Sequence, residues 1–297
     1  MNVIDQVASD LFSVFLFGSV QGAVFSLLAL GFSLVYGVGG VMNLAHGGFY
    51  LATMYTFYWC IKVWEQTILM SIIITLIVIV IICILTFVLL IKPLQHTEIG
   101  ILMATFALAF FFEQLVKVLP WSDNQTHWVP NIIKGNPIEL FGINFPVRYL
   151  WTIIGAIIVV VIIYIFISKA KLGKSIRAVA QDREAAQLMG INANLIIMVT
   201  IIISGLLVAF TTILYGAGEE VYPSMGWGFL IQSFAIVVLG GMGSIPGSVL
   251  GAFIIGYSRT FCSYFIGTQF AEIFPIIIIV FMLVFRPQGL LGKKEVE

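Results

Sequence analysis

The chain has 297 residues, of which 61% are hydrophobic and 9% charged, and its mean hydropathy is +1.11. A soluble domain carries roughly 25% charged residues, so this composition excludes an ordinary soluble fold and specifies an all-α, polytopic membrane protein. The formal net charge is zero, which argues against nucleic acid as a partner.

About 20 apolar residues cross a bilayer as a helix. Residues 11–61 carry no full charge and are long enough for two crossings, with a break at 37–48, GVGGVMNLAHGG. Residues 68–91 form an unbroken apolar span ended by Lys92-Pro93, and 99–119 form another that encloses Glu113. A polar loop with four prolines and modest β character occupies 120–148. Residues 150–168 and 195–218 are two further spans, closed on the second side by Glu219 and Glu220. Residues 221–258 are uncharged again and are interrupted at 240–247, GGMGSIPG; Arg259 follows inside apolar sequence. The last apolar run, 273–285, is short for a span, so it starts earlier, near Gln269, or runs only part way. Together these make a single transmembrane domain over 1–297 with about eight or nine helices, two of the helical regions being broken by Gly-rich segments.

Between two spans lies the least apolar stretch, 169–194. Five basic residues (Lys169, Lys171, Lys174, Arg177, Arg183) gather there with Asp182 and Glu184. Ser175 suits a helix start and Gly190 a helix end. On a helical wheel Ala178, Val179, Ala185, Ala186, Leu188 and Met189 share one side, with Asp182 intruding. This is a helix outside the bilayer that a soluble partner can grip. Its sequence 168–175 imitates a phosphate-binding loop, but Ser168 replaces the first glycine and no strand precedes it.

Basic residues in short loops mark the cytoplasmic side. Lys92, the 169–183 cluster, Arg286, Lys293 and Lys294 therefore face the cytoplasm, and Asp5, Asp10, Glu219 and Glu220 face outside. The N-terminus is then outside, the C-terminus inside and the 120–148 loop extracytoplasmic. The segment MNVIDQVASD lacks the basic residues of a signal peptide. Cys60, Cys83 and Cys262 lie in apolar spans without metal or disulfide spacing. No nucleophile–His–Asp set is evident and three histidines do not make a metal site, so neither catalysis nor a cofactor is expected, and ATP hydrolysis would fall to another chain.

The two Gly-broken regions resemble one another. In a bilayer the backbone freed by a break has to face protein or water, and paired breaks in a transporter point to the substrate route. Close helix packing through small residues is the alternative reading. The candidate route residues are Asn43, His46, Gly47 and Gly48 in the first region and Gly240, Gly241, Gly243 and Ser244 in the second. A side chain placed at Gly47 or Gly241 should lower uptake more than protein level if they line a route, and both equally if they serve packing. His46 suits a cap or interface position at the rim. Glu113 and Arg259 are the full charges well inside apolar sequence, either snorkelling or paired.

Four stretches, GFSLVYGVGGVMNLAHGGFYLA (31–52), IRAVAQDREAAQLMGI (176–191), VVLGGMGSIPGSVLGA (237–252) and RPQGLLG (286–292), together resemble the branched-chain amino acid permease family of ABC importers, the Liv type. The likeness covers most of the chain in order. By resemblance, Arg183, Glu184, Ala185, Ala186 and Gly190 belong to the loop that docks on the ATPase; the family's following Ile-x-Leu-Pro is absent, the chain reading Thr200-Ile201-Ile202-Ile203. The resemblance implies a second related permease subunit, two cytoplasmic ATP-binding cassette subunits and an extracytoplasmic solute-binding protein. It implies leucine, isoleucine or valine as the substrate, an inner-membrane location and rocking of the helices by ATP-driven closure. Urea and short-amide permeases are similar to the same family. A stand-alone channel would show charge rings or filter repeats, and a secondary transporter more intramembrane acids than Glu113.

Single cysteines placed at 125 and 220 are expected to react with a membrane-impermeant maleimide in sealed cells, and cysteines at 175 and 295 only after permeabilisation. Labelling at 175 from outside would overturn the orientation.

Overall fold

The computed structural model of the chain describes residues 3–119, 125–133, 135–140, 142–286 and 288–292. Lys293, Lys294 and position 295, named above, lie outside them. The first half comprises α1 (Val3–Gly39), α2 (Ala45–Lys62), α3 (Ile68–Thr86), a π-helical turn (Phe87–Ile91), α4 (Lys92–Leu94) and α5 (Glu98–Val118). The widened turn directly precedes Pro93, which has no N–H to donate into the ladder. Short strands β1 (His127–Trp128), β2 (Ile138–Leu140) and β3 (Ile143–Phe145) make up the loop, and α6 (Val147–Lys169) follows. Then come α7 (Lys171–Gln181), α8 (Arg183–Leu188), α9 (Ala193–Tyr215), β4 (Glu220–Val221), α10 (Met225–Gly240), α11 (Ile245–Phe265), α12 (Thr268–Ala271) and α13 (Ile273–Phe285). The β character of the loop is confirmed: β2 pairs with β3, and β1 pairs antiparallel with β4, setting Trp128 opposite Glu220.

The molecule is a multi-pass, all-α membrane protein. Among the described residues six helical stretches are long and apolar enough to cross a bilayer, or seven with α10 and α11, which meet at 120°, counted as one bent span. α12 and α13 together supply the last of the six, Thr268–Phe285, so the short apolar run does start earlier than 273. α2 is missing from that number because its sequence mixes His46, Lys62 and several tyrosines and threonines with apolar residues. Yet α2 is buried from Ala45 to Cys60. A helix surrounded by protein needs no apolar outer face, so its composition is free of the lipid's demands. Adding it brings the crossings close to the expected number.

Burial divides the helices into two shells. The spans of α1 and α9 are each 61% buried, against 28% for α3 and α5 and 17% for α6 and α13. Isoleucines and phenylalanines on the latter helices point outward, as expected of lipid-facing surface. α1 crosses α11 at small residues: Gly22 packs on Phe253, Gly18 on Tyr257, and Gly256 on the backbone of Gly22. Without a hydrophobic drive between helices in lipid, such close approach supplies the dispersion contacts. Cys60, Cys83 and Cys262 are buried within this packing.

Glu113 and Arg259 have separate partners. One Glu113 oxygen accepts from Lys117 Nζ at 2.6 Å, one turn along α5, and the other from Trp227 Nε1 of α10 at 2.6 Å. Both carboxylate oxygens are thus satisfied, which is what allows an acid at 8% exposure. Arg259 of α11 lies 3.9 Å from Glu272. Replacing Glu113 with leucine would strand the Trp227 N–H and the Lys117 ammonium. A loss of about 1–3 kcal/mol is expected, read as a lower melting temperature of the detergent-solubilised protein, with Glu113→Gln losing less because it keeps an acceptor.

Candidate functional site

The structure brings the two Gly-broken regions together. α1 ends at Gly39 and Gly40 turns the chain with φ +66°. Asn43 Oδ1 then accepts the Ala45 N–H at 3.1 Å, and the Leu44 N–H donates to Thr105 Oγ1 of α5 at 3.2 Å. In the second region Ser244 caps α11, its hydroxyl accepting the Gly247 N–H at 3.2 Å. Gly243, with φ +78°, lies against Gly37 of the first region. The breaks are therefore neighbours in space, joined glycine to glycine.

Around them the candidate route residues fall into two kinds. Gly47 meets Gly226 of α10 so closely that an added Cβ would lie 2.5 Å from its carbonyl oxygen; Gly48 packs on Ala109 and Phe112 of α5. Gly240 packs on Gly247 across the bend. Gly241, at φ +101°, faces the backbones of Gly289 and Gly292 in the C-terminal segment. That segment completes the end of α10: the Leu290 N–H donates to the Leu239 carbonyl at 2.8 Å and the Leu291 N–H to the Gly240 carbonyl at 3.0 Å. The RPQGLLG motif thus supplies the hydrogen bonds that a helix ending inside protein lacks.

Asn43 and His46 are polar and buried. His46 is 2% exposed. Its Nδ1 lies 3.3 Å from Ser204 Oγ of α9, its ring meets Phe32 edge-on, and Nε2 makes no hydrogen bond of good geometry among the described residues. Asn43 Nδ2 is likewise buried and unpartnered.

Opposite the basic segment, where α9 ends and α10 begins, a cavity of about 300 Å³ opens. Tyr50 of α2, Tyr215 at the end of α9, Glu219 beyond it, Met225 and Gln232 of α10 and Arg259 of α11 are among its walls. Gln232 sits half-way along α10, so the cavity enters the bundle rather than lying on it. A second cavity of about 440 Å³ adjoins it and shares Gln21, Arg259 and Glu272. Glu219 accepts from Arg148 at 3.0 Å and from the Tyr149 hydroxyl at 3.1 Å. Burial pushes its carboxyl above the usual carboxylate range, partly offset by Arg148 and Tyr149. Sequence reading singled out Arg259, Glu219 and Glu220 as charges but not this cavity; the signal available was Gln21 and Gln232, polar amides inside apolar spans.

The basic stretch is two helices rather than one starting at Ser175. α7 begins at Lys171, and Ser175 donates back to the Lys171 carbonyl. Asp182, the residue that spoiled the amphipathic pattern, is the N-cap of α8, accepting from the Glu184 and Ala185 N–H groups at 2.9 Å. The new start rotates the faces. Ala186 turns inward at 5% exposure, and Leu188 and Met189 turn outward at 90% and 83%. Glu184 and Ala185 are exposed, and Gly190 makes the expected turn at φ +84°. Arg183 holds α8 in place through Gln95 at 2.8 Å and Asn194 at 3.1 Å.

The family described as branched-chain amino acid transport system / permease component matches residues 14–284. The permease BraD of Pseudomonas aeruginosa, named for high-affinity branched-chain amino acid transport, is 29% identical, with 94% of this chain and 95% of BraD aligned. Two differently named permeases of Salmonella typhimurium also match: LivH at 26% identity over 94% of this chain and 95% of its own, and LivM at 26% over 90% and 68%. Among solved structures, PsaBC from Streptococcus pneumoniae in complex with Fab has the same fold, with a TM-score of 0.53 at 12% identity over 95% of this chain and 97% of that one.

Gly241→Val is expected to lower folded protein and uptake together, because a side chain there meets backbone at an unfavourable φ. Asn43→Leu keeps the volume roughly and removes both the unpartnered Nδ2 and the Oδ1 that accepts the Ala45 N–H, so a loss of uptake at unchanged protein level would assign that amide to the route.

Proposed function

Because the chain belongs to the family of branched-chain amino acid transport system permease components, we propose that it is the membrane-spanning subunit of an ATP-driven importer of leucine, isoleucine and valine. The observation that carries the reading is α8. It lies between two spans and presents Leu188 and Met189 almost fully exposed. Large apolar side chains held out into solvent mark a contact with another protein, which in this reading is the ATPase. Two such cytoplasmic subunits, a second related permease and an extracytoplasmic binding protein complete the assembly. The match to both LivH and LivM supports the paired permease.

In this reading the basic end faces the cytoplasm of an inner membrane and the 300 Å³ cavity faces outside, toward the binding protein. The amino acid enters the cavity and proceeds along Asn43, His46, Gly47 and Gly48. The second break, Gly240, Gly241, Gly243 and Ser244, serves as the hinge of the route. Force on α8 passes through Arg183 to α9 and to the link before α5, so ATP-driven closure moves both helices at once.

The test separates docking from folding. Leu188→Asp with Met189→Asp should abolish retention of the ATPase subunit on the purified permease and lower substrate-stimulated ATP hydrolysis more than tenfold, with the melting temperature unchanged. Ala186→Glu, whose side chain would be forced inward, should instead lower the melting temperature. Wild-type retention and hydrolysis in the first variant would remove α8 as the docking element.

A further inference from the structure

Among the described residues few buried side-chain polar atoms lack hydrogen-bond partners, and one of them, on Gln232, belongs to a cavity wall that Arg259 shares. The Arg259 guanidinium has five N–H donors, yet its nearest acid, Glu272, is 3.9 Å away, beyond hydrogen-bond reach. Gln232 is 6% exposed and its Oε1 has no hydrogen-bond partner among the described residues. An unsatisfied buried acceptor is costly and marks a place where something else supplies the donor. Both residues wall the 300 Å³ cavity, a volume at the small end of ligand sites.

The charges there are mixed. Glu219 is already engaged by Arg148 and Tyr149, which leaves Glu220 and Glu272 as acids at the wall and Arg259 as the cation. An anion alone would meet the two acids, and a cation alone would meet the guanidinium. A ligand carrying both signs on neighbouring atoms satisfies both. Apolar surface lies beside them: Met225 is buried, and the Tyr50 and Phe229 rings pack 3.9 Å apart. A neutral amide would leave Arg259 without its counter-charge.

We propose that this cavity binds a free, zwitterionic α-amino acid. Arg259 takes the α-carboxylate in place of its loose contact with Glu272; Glu272 and Gln232 Oε1 take the ammonium, and Met225 with the Tyr50–Phe229 pair receives an aliphatic side chain. The site rests on the importer reading above and assigns its outward entrance. Binding would draw Glu272, at the junction of α12 and α13, away from Arg259 on α11, so occupancy is registered by the helices that follow the bend.

The experiment uses the whole importer in cells lacking other leucine uptake, with radiolabelled L-leucine as the probe and the permease level measured in parallel. Arg259→Met should lower maximal uptake about tenfold or more, the loss of a charge-assisted contact, and Arg259→Lys should recover most of it by restoring the charge. Glu272 is 72% exposed at its side chain, so Glu272→Gln keeps the fold in any case and should lower uptake severalfold; Gln232→Leu should do the same. Isopentylamine and 4-methylpentanoate, which each lack one charge, should compete far less than L-leucine for entry. Leucine uptake within twofold of wild type in Arg259→Met and Glu272→Gln would overturn this site and leave the importer reading standing. Uptake of a neutral amide but of no amino acid by the wild-type importer would overturn both.

Discussion

Hydrocarbon offers no hydrogen bonds, so a helix that stops inside a membrane protein must find partners for its open backbone groups in the protein itself. The two breaks in this chain meet that demand with residues from elsewhere. At the first, Asn43 caps locally while Thr105 of α5 receives the Leu44 N–H. At the second, Ser244 caps α11 and the C-terminal segment donates Leu290 and Leu291 N–H groups to the last carbonyls of α10. Each break is thus tied to a distant part of the chain, and the contact of Gly37 with Gly243 ties the breaks to each other.

The same constraint sorts the helices. Those facing lipid (α3, α5, α6 and α13) are rich in isoleucine and phenylalanine and little buried. Those inside can carry polar groups, because protein rather than lipid surrounds them. α2 is the extreme case, too polar to count as a span and buried along most of its length. The cavity lies where these inner helices meet, so its amides and charges are shielded from lipid while open at one end.

One helix joins two ends of the scaffold. α9 carries Asn194, which holds Arg183 of the basic segment, at one end and Tyr215, a wall of the cavity, at the other. Thr53 of α2 and Thr212 of α9 share a hydrogen bond of 2.9 Å, which ties α9 to the buried α2. A rigid helix that reaches both ends is a physical means for a displacement at one to be felt at the other.

Sequence alone determined the class of protein, because a hydropathy of +1.11 with 9% charge admits only a membrane fold, and spans of about 20 apolar residues place most helices directly. It also determined the positions of the breaks, since paired glycines interrupt helices whatever surrounds them, and the basic segment, since charge cannot enter lipid. Tertiary structure decided what each break is for. Nothing local to Gly241 announces that residues 289–292 will pack on it, and nothing local to Gln232 that its oxygen will face a cavity beside Arg259. It also decided the faces of α8. A helical wheel assumes one continuous helix, but Asp182 found open N–H groups to cap, restarted the helix and turned Ala186 in and Leu188 out. Periodicity is a local property of the chain, whereas burial and partnership depend on residues brought together from far along it.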